Sequence, residues 1–221
     1  MAVGGLLALS LCLALVPSRD ALAQDERATF ELTVEITWSA EAAPLDFPAT
    51  AHMSRLIGVM HNSRYVLFRD GDTASSGLEL LAENGRATIL EAEFAEAMRR
   101  GRLGSRFEEP GLPRVPASFA TTIETTKDHP LLSFVTMIAP SPDWFAGAAD
   151  IALMSGGDWV EELEVPIWAW DAGTDSGQTY EAANADRQPR ESIRLLATPH
   201  FLARDGLVPM GRAVLRRIGT P

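Results

Sequence analysis

The sequence predicts an all-β fold, an antiparallel β-sandwich with one short helix. One segment near the start alternates apolar and polar residues with the period of two that a half-buried strand requires. Most of the remaining chain divides into short apolar runs separated by Gly, Pro, Asp and Ser. Only one segment has a helical composition, and no strand–helix–strand rhythm is present. This pattern favours antiparallel strands packed as a sandwich over a parallel sheet.

The strongest predicted strand is ATFELTVEITW at residues 28–38. Its apolar residues occupy every second position: Phe30, Leu32, Val34, Ile36 and Trp38. Further strands are predicted at residues 65–68, 118–125, 131–138, 159–168, 192–197 and 212–218. The last of these contains three arginines, and charged side chains of this kind are typical of an exposed sheet edge.

The predicted helix covers residues 91–100, EAEFAEAMRR. Its residues are good helix formers, and two arginines lie in its last turn, where positive charge is favourable. Gly101 follows directly, as expected after a helix C-terminus.

The first residues predict export. The apolar run GGLLALSLCLALV is followed by Pro17 and by Ala21-Leu22-Ala23, a small-x-small cleavage pattern. We therefore expect a signal peptide at residues 1–23 and a mature chain of residues 24–221 that is secreted or periplasmic. The run is too short to span a membrane, and no transmembrane segment is predicted in the mature chain. The single cysteine, Cys12, lies in the signal peptide, so no disulfide is expected after cleavage.

Length and charge narrow the choice of function. A mature chain of this size can bury one good hydrophobic core, so residues 24–221 are expected to form one domain. The formal net charge of the chain is −11. A chain this acidic repels nucleic acid, so no nucleic-acid partner is expected.

Three aspartates are candidate metal ligands. Asp143 lies in Ser-Pro-Asp-Trp, and Asp171 and Asp175 enclose Ala-Gly-Thr. Calcium prefers hard oxygen ligands, which flexible loops after strands can supply. The alternative is that these aspartates only stabilise turns through side-chain hydrogen bonds to nearby backbone.

Two other interpretations compete with the metal site. Thr174-Asp175-Ser176-Gly177 resembles part of the nucleophile turn of serine proteases, and His61 or His129, with Asp128, precedes it in the right chain order to serve as base. This interpretation would make the protein a secreted hydrolase using Ser176 or a metal-bound water. The tryptophans near the acidic loops could form a sugar-stacking or membrane-inserting platform, although packing in the core is the commoner role.

The chain also resembles the spondin domain, found at the N-terminus of F-spondin and mindin and as stand-alone bacterial secreted proteins. The resemblance covers residues 30–39 (FELTVEITWS), 47–54 (FPATAHMS), 57–61 (IGVMH), 74–77 (ASSG), 81–85 (LAENG) and 189–193 (PRESI). Its most specific parts are residues 129–147, HPLLSFVTMIAPSPDWFAG, and residues 170–180, WDAGTDSGQTY.

This resemblance implies a β-sandwich similar to the calcium-binding modules of synaptotagmin. It also implies that calcium is bound by the aspartate of Pro-Asp-Trp and by both aspartates of Asp-Ala-Gly-Thr-Asp, which here are Asp143, Asp171 and Asp175. Family members in animals act in extracellular matrix and cell adhesion. His61, in the distinctive segment IGVMH, has no role that the sequence explains.

The sequence thus predicts an exported calcium-binding β-sandwich that acts as a binding or adhesion module for an extracellular protein or glycan. A secreted hydrolase and a calcium-bridged carbohydrate-binding protein remain the alternatives.

Overall fold

The computed structural model describes residues 26–203 and 206–219. The predicted signal peptide at residues 1–23 and Cys12 lie outside these residues. The long strands are β1 (Arg27–Ile36), β3 (Leu56–His61), β4 (Leu103–Glu109), β5 (Ala117–Thr126), β6 (Leu131–Ala139), β7 (Trp144–Ala152), β10 (Glu162–Asp171) and β14 (Gly211–Gly219). Short strands are β2 (His52–Met53), β8 (Met154–Ser155), β9 (Asp158–Trp159), β11 (Arg194–Leu195), β12 (Leu202–Ala203) and β13 (Gly206–Leu207). The helices are α1 (Ser76–Asn84) and α2 (Thr88–Arg99), with a short 3-10 turn at Pro199–Phe201.

The eight long strands form one antiparallel sheet in the order β4-β3-β6-β7-β10-β14-β1-β5. The two end strands face each other, and the Ser105 hydroxyl of β4 donates a hydrogen bond to the Glu124 carbonyl of β5 at 2.8 Å. The sheet therefore curls until it nearly closes around the main core. This arrangement confirms the predicted all-β, sandwich-like fold. No helix within the described residues is long and apolar enough to cross a membrane.

Strand β1 follows the predicted alternation. Phe30, Leu32, Val34 and Ile36 are buried in the main core, and the residues between them are exposed or half-buried. Each buried side chain of this size contributes roughly 1.5–3 kcal/mol of hydrophobic free energy. One face of β1 thus forms part of the core while the other faces solvent.

The described residues form two helices where one was predicted. Helix α2 spans most of the predicted segment, whereas α1 was not expected because Gly77 lies near its start. A Cβ atom on Gly77 would lie 2.6 Å from the Leu90 backbone of α2. Glycine therefore allows the two helices to pack closely, and the Ser75 side chain caps α1 by accepting a hydrogen bond from the Leu78 N–H at 3.1 Å.

The helices bury the outer face of β3, β6 and β7. Leu78, Leu81 and Phe94 pack in a second core with Val59 and Phe145 of the sheet. All six residues of β3 are buried as a result. A strand buried on both faces has no alternating pattern, and β3, only six residues long, was not among the predicted strands.

Two other expectations were wrong. Residues 65–68 do not form a strand; they lie in a loop where the Phe68 ring packs 5.0 Å from that of Phe145. The arginine-rich strand β14 is not an edge, because it pairs with β1 on one side and β10 on the other. Its arginines face solvent and pair with neighbouring strands: Arg212 donates to Glu35 at 2.7 Å and to Glu164 at 3.1 Å.

Candidate metal site

The structure brings the three predicted aspartates to one rim of the sheet. Asp143 lies in the loop between β6 and β7, Asp171 is the last residue of β10, and Asp175 follows four residues later. Strands β7 and β10 are neighbours, with Trp144 directly opposite Asp171. Pairing of these two strands therefore juxtaposes the two loops, a relationship that the sequence alone did not reveal.

The loop after β10 wraps around the Asp143 carboxylate. The backbone N–H groups of Thr174 and Asp175 donate to Asp143 Oδ2 at 2.7 and 3.0 Å. Gly173 makes this turn possible: its φ is +72°, and a Cβ there would lie 2.5 Å from the Glu191 carbonyl oxygen. Only glycine fits this position without moving the chain.

Asp143 is the most constrained of the three carboxylates. Its side chain is 0% exposed, and its second oxygen, Oδ1, is buried with no hydrogen-bond partner among the described residues. Burial, with the nearby charge of Asp171, raises the pKa of Asp143 to about 6. A buried carboxylate oxygen without a donor is costly, so this atom favours a cation or a proton as its partner.

Asp171 is held by an arginine. Its Oδ1 accepts the Gly173 N–H at 2.8 Å, and its Oδ2 accepts the Arg194 guanidinium through Nη2 at 2.8 Å and Nε at 3.2 Å. The hydrogen bond to Asp171 raises the pKa of Arg194. Arg194 lies directly opposite Asp171 across the β10–β11 pair.

Both carboxylate oxygens of Asp175 accept hydrogen bonds from backbone N–H groups. Its Oδ1 accepts the Gly177 N–H at 2.6 Å and its Oδ2 the Ala185 N–H at 2.7 Å. Asp171 and Asp175 thus both make the turn-stabilising bonds of the alternative interpretation. Across residues 26–203 and 206–219, no group of three or more His, Cys, Asp or Glu side chains is arranged as it stands to hold a metal ion.

Two further residues of the site were missed by sequence reasoning. Arg194 was not singled out, because its pairing with Asp171 depends on the short strand β11. Glu83 was missed because it lies on the unpredicted helix α1. Its Oε1 is also buried without a partner, and burial raises its pKa although a hydrogen bond from Thr174 lowers it. The only signal for Glu83 was its place within LAENG.

A cavity of about 390 Å³ opens beside the aspartates. Asp171 and Asp175 line it together with Arg187, Arg194 and Trp144. A small cation can therefore approach two of the three carboxylates from this side.

Comparison with known proteins identifies the family of the chain that carries this site. The Spondin_N family model matches residues 28–203, most of the chain. The chain belongs to the spondin family. Spondin-2 of Rattus norvegicus is 34% identical over 170 residues, which cover 75% of this chain and 52% of that protein. Spondin-2 of Homo sapiens is 33% identical over 172 residues, covering 75% and 51%.

Spondin-1 of Gallus gallus is 34% identical over 205 residues, which cover 86% of this chain and 25% of that protein. The chain thus spans about half the length of these Spondin-2 proteins and a quarter of Spondin-1. The family resemblance carried by the sequence motifs is confirmed.

Within this spondin domain, Ser176 is engaged by the loop itself. Its hydroxyl donates to the Ala185 carbonyl at 3.1 Å. His61 and His129, the bases considered for it, contact other groups: His61 Nε2 lies 2.7 Å from Ser133 Oγ, and His129 Nδ1 lies 3.4 Å from Thr126 Oγ1. The histidine–serine arrangement proposed for a hydrolase is therefore not assembled at Ser176.

The tryptophans of the spondin domain differ in burial. Trp144 and Trp159 are 1% and 5% exposed and belong to the main core. Trp144 packs against Tyr180 and His200 directly beneath the acidic loops. Trp168 and Trp170 are half-buried. Packing, the commoner role, accounts for Trp144 and Trp159, and Trp144 supports the rim from below.

Proposed function

We propose that this chain is an exported calcium-binding spondin domain that acts as a binding or adhesion module for an extracellular protein or glycan. The observation that carries the calcium proposal is Asp143 Oδ1, a fully buried carboxylate oxygen to which no group of the described residues donates a hydrogen bond. It lies on the same rim as Asp171 and Asp175. Calcium takes six to eight oxygen ligands, and carboxylates on loops are its usual protein donors.

The donor chemistry fits calcium. Three carboxylates close together repel one another, and a divalent cation removes that repulsion. Burial first, and then the charges of Asp171 and Asp175, raise the pKa of Asp143. Asp143, Asp171 and Asp175 would hold the ion, and the ion would tie the β6–β7 loop to the loop after β10.

The predicted signal peptide and the family relatives, rather than the aspartates, support export and an adhesion role. The predicted signal peptide at residues 1–23 supports secretion or transfer to the periplasm. Spondin family members in animals work outside the cell, in matrix and adhesion, which supports a binding role over catalysis.

A calcium titration tests the proposal. Protein stripped with a chelator is titrated with calcium while heat release and melting temperature are followed. We expect about one equivalent to bind with a Kd on the order of 0.1 to 1 mM, typical of extracellular modules, and to raise the melting temperature.

The variant Asp143→Asn should abolish both effects, whereas Asp158→Asn should bind calcium normally. Asp158 is exposed at the start of β9, so this control removes the same charge away from the rim. No heat and no thermal shift up to several times the highest expected Kd would refute the calcium proposal.

The ligand class is tested next on a glycan array, in calcium and in chelator. A glycan bound in calcium alone, and not bound by Asp143→Asn, would identify a sugar ligand. Absence of binding would direct the search to extracellular proteins.

A further inference from the structure

Arg194 occupies the position from which a cation would reach Asp171. Its guanidinium makes two contacts to one oxygen, Asp171 Oδ2, at 2.8 and 3.2 Å. The Asp171 side chain is 8% exposed, whereas that of Arg194 is 57% exposed. The buried carboxylate is fixed, and the arginine is the partner that can move.

Calcium and Arg194 cannot both hold this oxygen. Asp171 Oδ1 accepts one hydrogen bond, from the Gly173 N–H, whereas Oδ2 accepts two, both from Arg194, so a metal can reach Oδ2 only from where the guanidinium now lies. Two cations sharing one carboxylate oxygen repel each other strongly at such short range. Binding of calcium through Oδ2 therefore requires the guanidinium to leave.

The Glu191 carboxylate is a second acceptor for Arg194. Its Nη1 already lies 3.1 Å from Glu191 Oε2. Glu191 is 41% exposed and also pairs with Arg187 through its other oxygen. Rotation of the Arg194 side chain away from Asp171 keeps one charged partner, so its displacement does not leave the guanidinium unpaired.

We propose that Arg194 is a built-in competitor of calcium. It neutralises Asp171 while the metal is absent and moves to Glu191 and solvent when calcium binds. This inference rests on the proposed calcium site and adds to it that the calcium affinity is set by an internal cation as well as by the ligands. Arg194 keeps the metal-free rim folded and, by the same contact, makes calcium binding weaker.

Calcium titration of Arg194→Gln tests this competition. We expect the Kd of the variant to be lower than that of the unmodified protein by at least about fivefold, because the competing charge is gone. The thermal stability of the metal-free variant should fall, because Asp171 loses its partner, so calcium should raise the melting temperature of Arg194→Gln more than that of the unmodified protein.

Arg187→Gln is the matched control. It removes the same charge from the same cavity and from the same partner, Glu191, but Arg187 does not contact Asp171. Its Kd should stay within about threefold of the unmodified protein, as for a partly exposed charge at a distance.

Each other outcome has a distinct meaning. Equal tightening in both variants would overturn direct competition in favour of general charge effects. An unchanged or weakened Kd in Arg194→Gln, with normal binding by the unmodified protein, would overturn the role of Arg194 and leave the calcium proposal standing. Absence of binding in all three proteins would overturn both.

Discussion

The imidazole Nε2 of His61 lies 2.7 Å from the Ser133 hydroxyl oxygen, and both side chains are 0% exposed. The His61 Nδ1 lies 3.0 Å from the Asn62 carbonyl, which can only accept, so Nδ1 carries the hydrogen and Nε2 accepts from Ser133. Ser133 Oγ in turn accepts the Asp150 N–H at 2.9 Å. This chain of bonds joins β3, β6 and β7 at a point where the pairing of β6 and β7 is irregular. His61 therefore has a structural role at this irregularity.

Replacing His61 should make the protein less stable and less sensitive to acid. Burial lowers the pKa of His61 below its ordinary value of 6.5, so the unfolded chain takes up a proton before the folded chain does. The stabilisation from neutral His61 is complete above pH 6.5 and is lost as the pH falls from there through the folded pKa. His61→Gln should cost about 2 kcal/mol at neutral pH and should reduce the loss of stability on acidification.

Urea unfolding at several pH values between neutral and about pH 5 measures both effects. His52→Gln is the control for loss of an exposed imidazole, and its cost at neutral pH should be well below that of His61→Gln. An acid dependence that is the same in His61→Gln and the unmodified protein would contradict the prediction.

Asp143→Asn should stabilise the metal-free protein. At neutral pH the carboxylate is ionised in both states, and its pKa of about 6 when folded, against 3.8 as the ordinary value, means that ionisation disfavours folding. Removing the charge should raise the free energy of unfolding by on the order of 1 to 3 kcal/mol. The advantage should shrink as the pH falls from about 6 to 3.8, because Asp143 then becomes protonated in the folded state.

Chemical unfolding in chelator at neutral and acidic pH provides the measurement, with Asp158→Asn as the control for simple loss of an exposed charge. A variant less stable than the unmodified protein at neutral pH would show that the Asp143 charge is already compensated by its backbone donors.

Gly173→Ala should destabilise the loop that encloses Asp143. The substitution adds a Cβ 2.5 Å from the Glu191 carbonyl oxygen and places alanine at φ +72°. We expect a loss of more than about 2 kcal/mol. Gly156→Ala is the matched control: Gly156 has φ +64° but open space around it, so only the backbone strain remains, about 1 kcal/mol. Thermal unfolding of both variants gives the comparison; similar losses would mean that the loop relaxes around the new methyl group.

Leu81→Ala should test the helical layer that covers β3 and β6. Leu81 is 0% exposed in the second core, and such truncations typically cost about 2 to 5 kcal/mol. Ile89→Ala, on an adjoining helix but 42% exposed, should cost less than about 1 kcal/mol. If the two variants unfold at the same denaturant concentration, the helices do not pack on the sheet as described.

The strongest strand prediction fell on a strand with one solvent-facing side, although β6 was also predicted and is buried on both faces. Strand β1 alternates because half of its side chains reach water, and this pattern is visible in one dimension. Strand β3 is covered on both faces, so its sequence LIGVMH has no period to detect. Strand β7 was missed because small residues at Ala146, Gly147 and Ala148 lack a strong strand preference.

In the candidate site, too, some residues could be predicted from the sequence and others could not. Asp143, Asp171 and Asp175 stand in turn-rich segments with carboxylates at close spacing, which local reasoning detects. Arg194 and Glu83 approach the aspartates only because β11 pairs with β10 and α1 packs on the sheet. Long-range pairing of this kind leaves no trace in the spacing of residues.

Strand β1 lies between β5 and β14, so the first described strand pairs with the last described strand. The middle of the sheet cannot be completed until β14 has been synthesised, and contacts of such high sequence separation make folding slow. We expect the growing chain to stay open during synthesis. An extended chain is the form that passes through a secretion channel, so under the proposed export the topology of the sheet itself would delay folding until transport is complete.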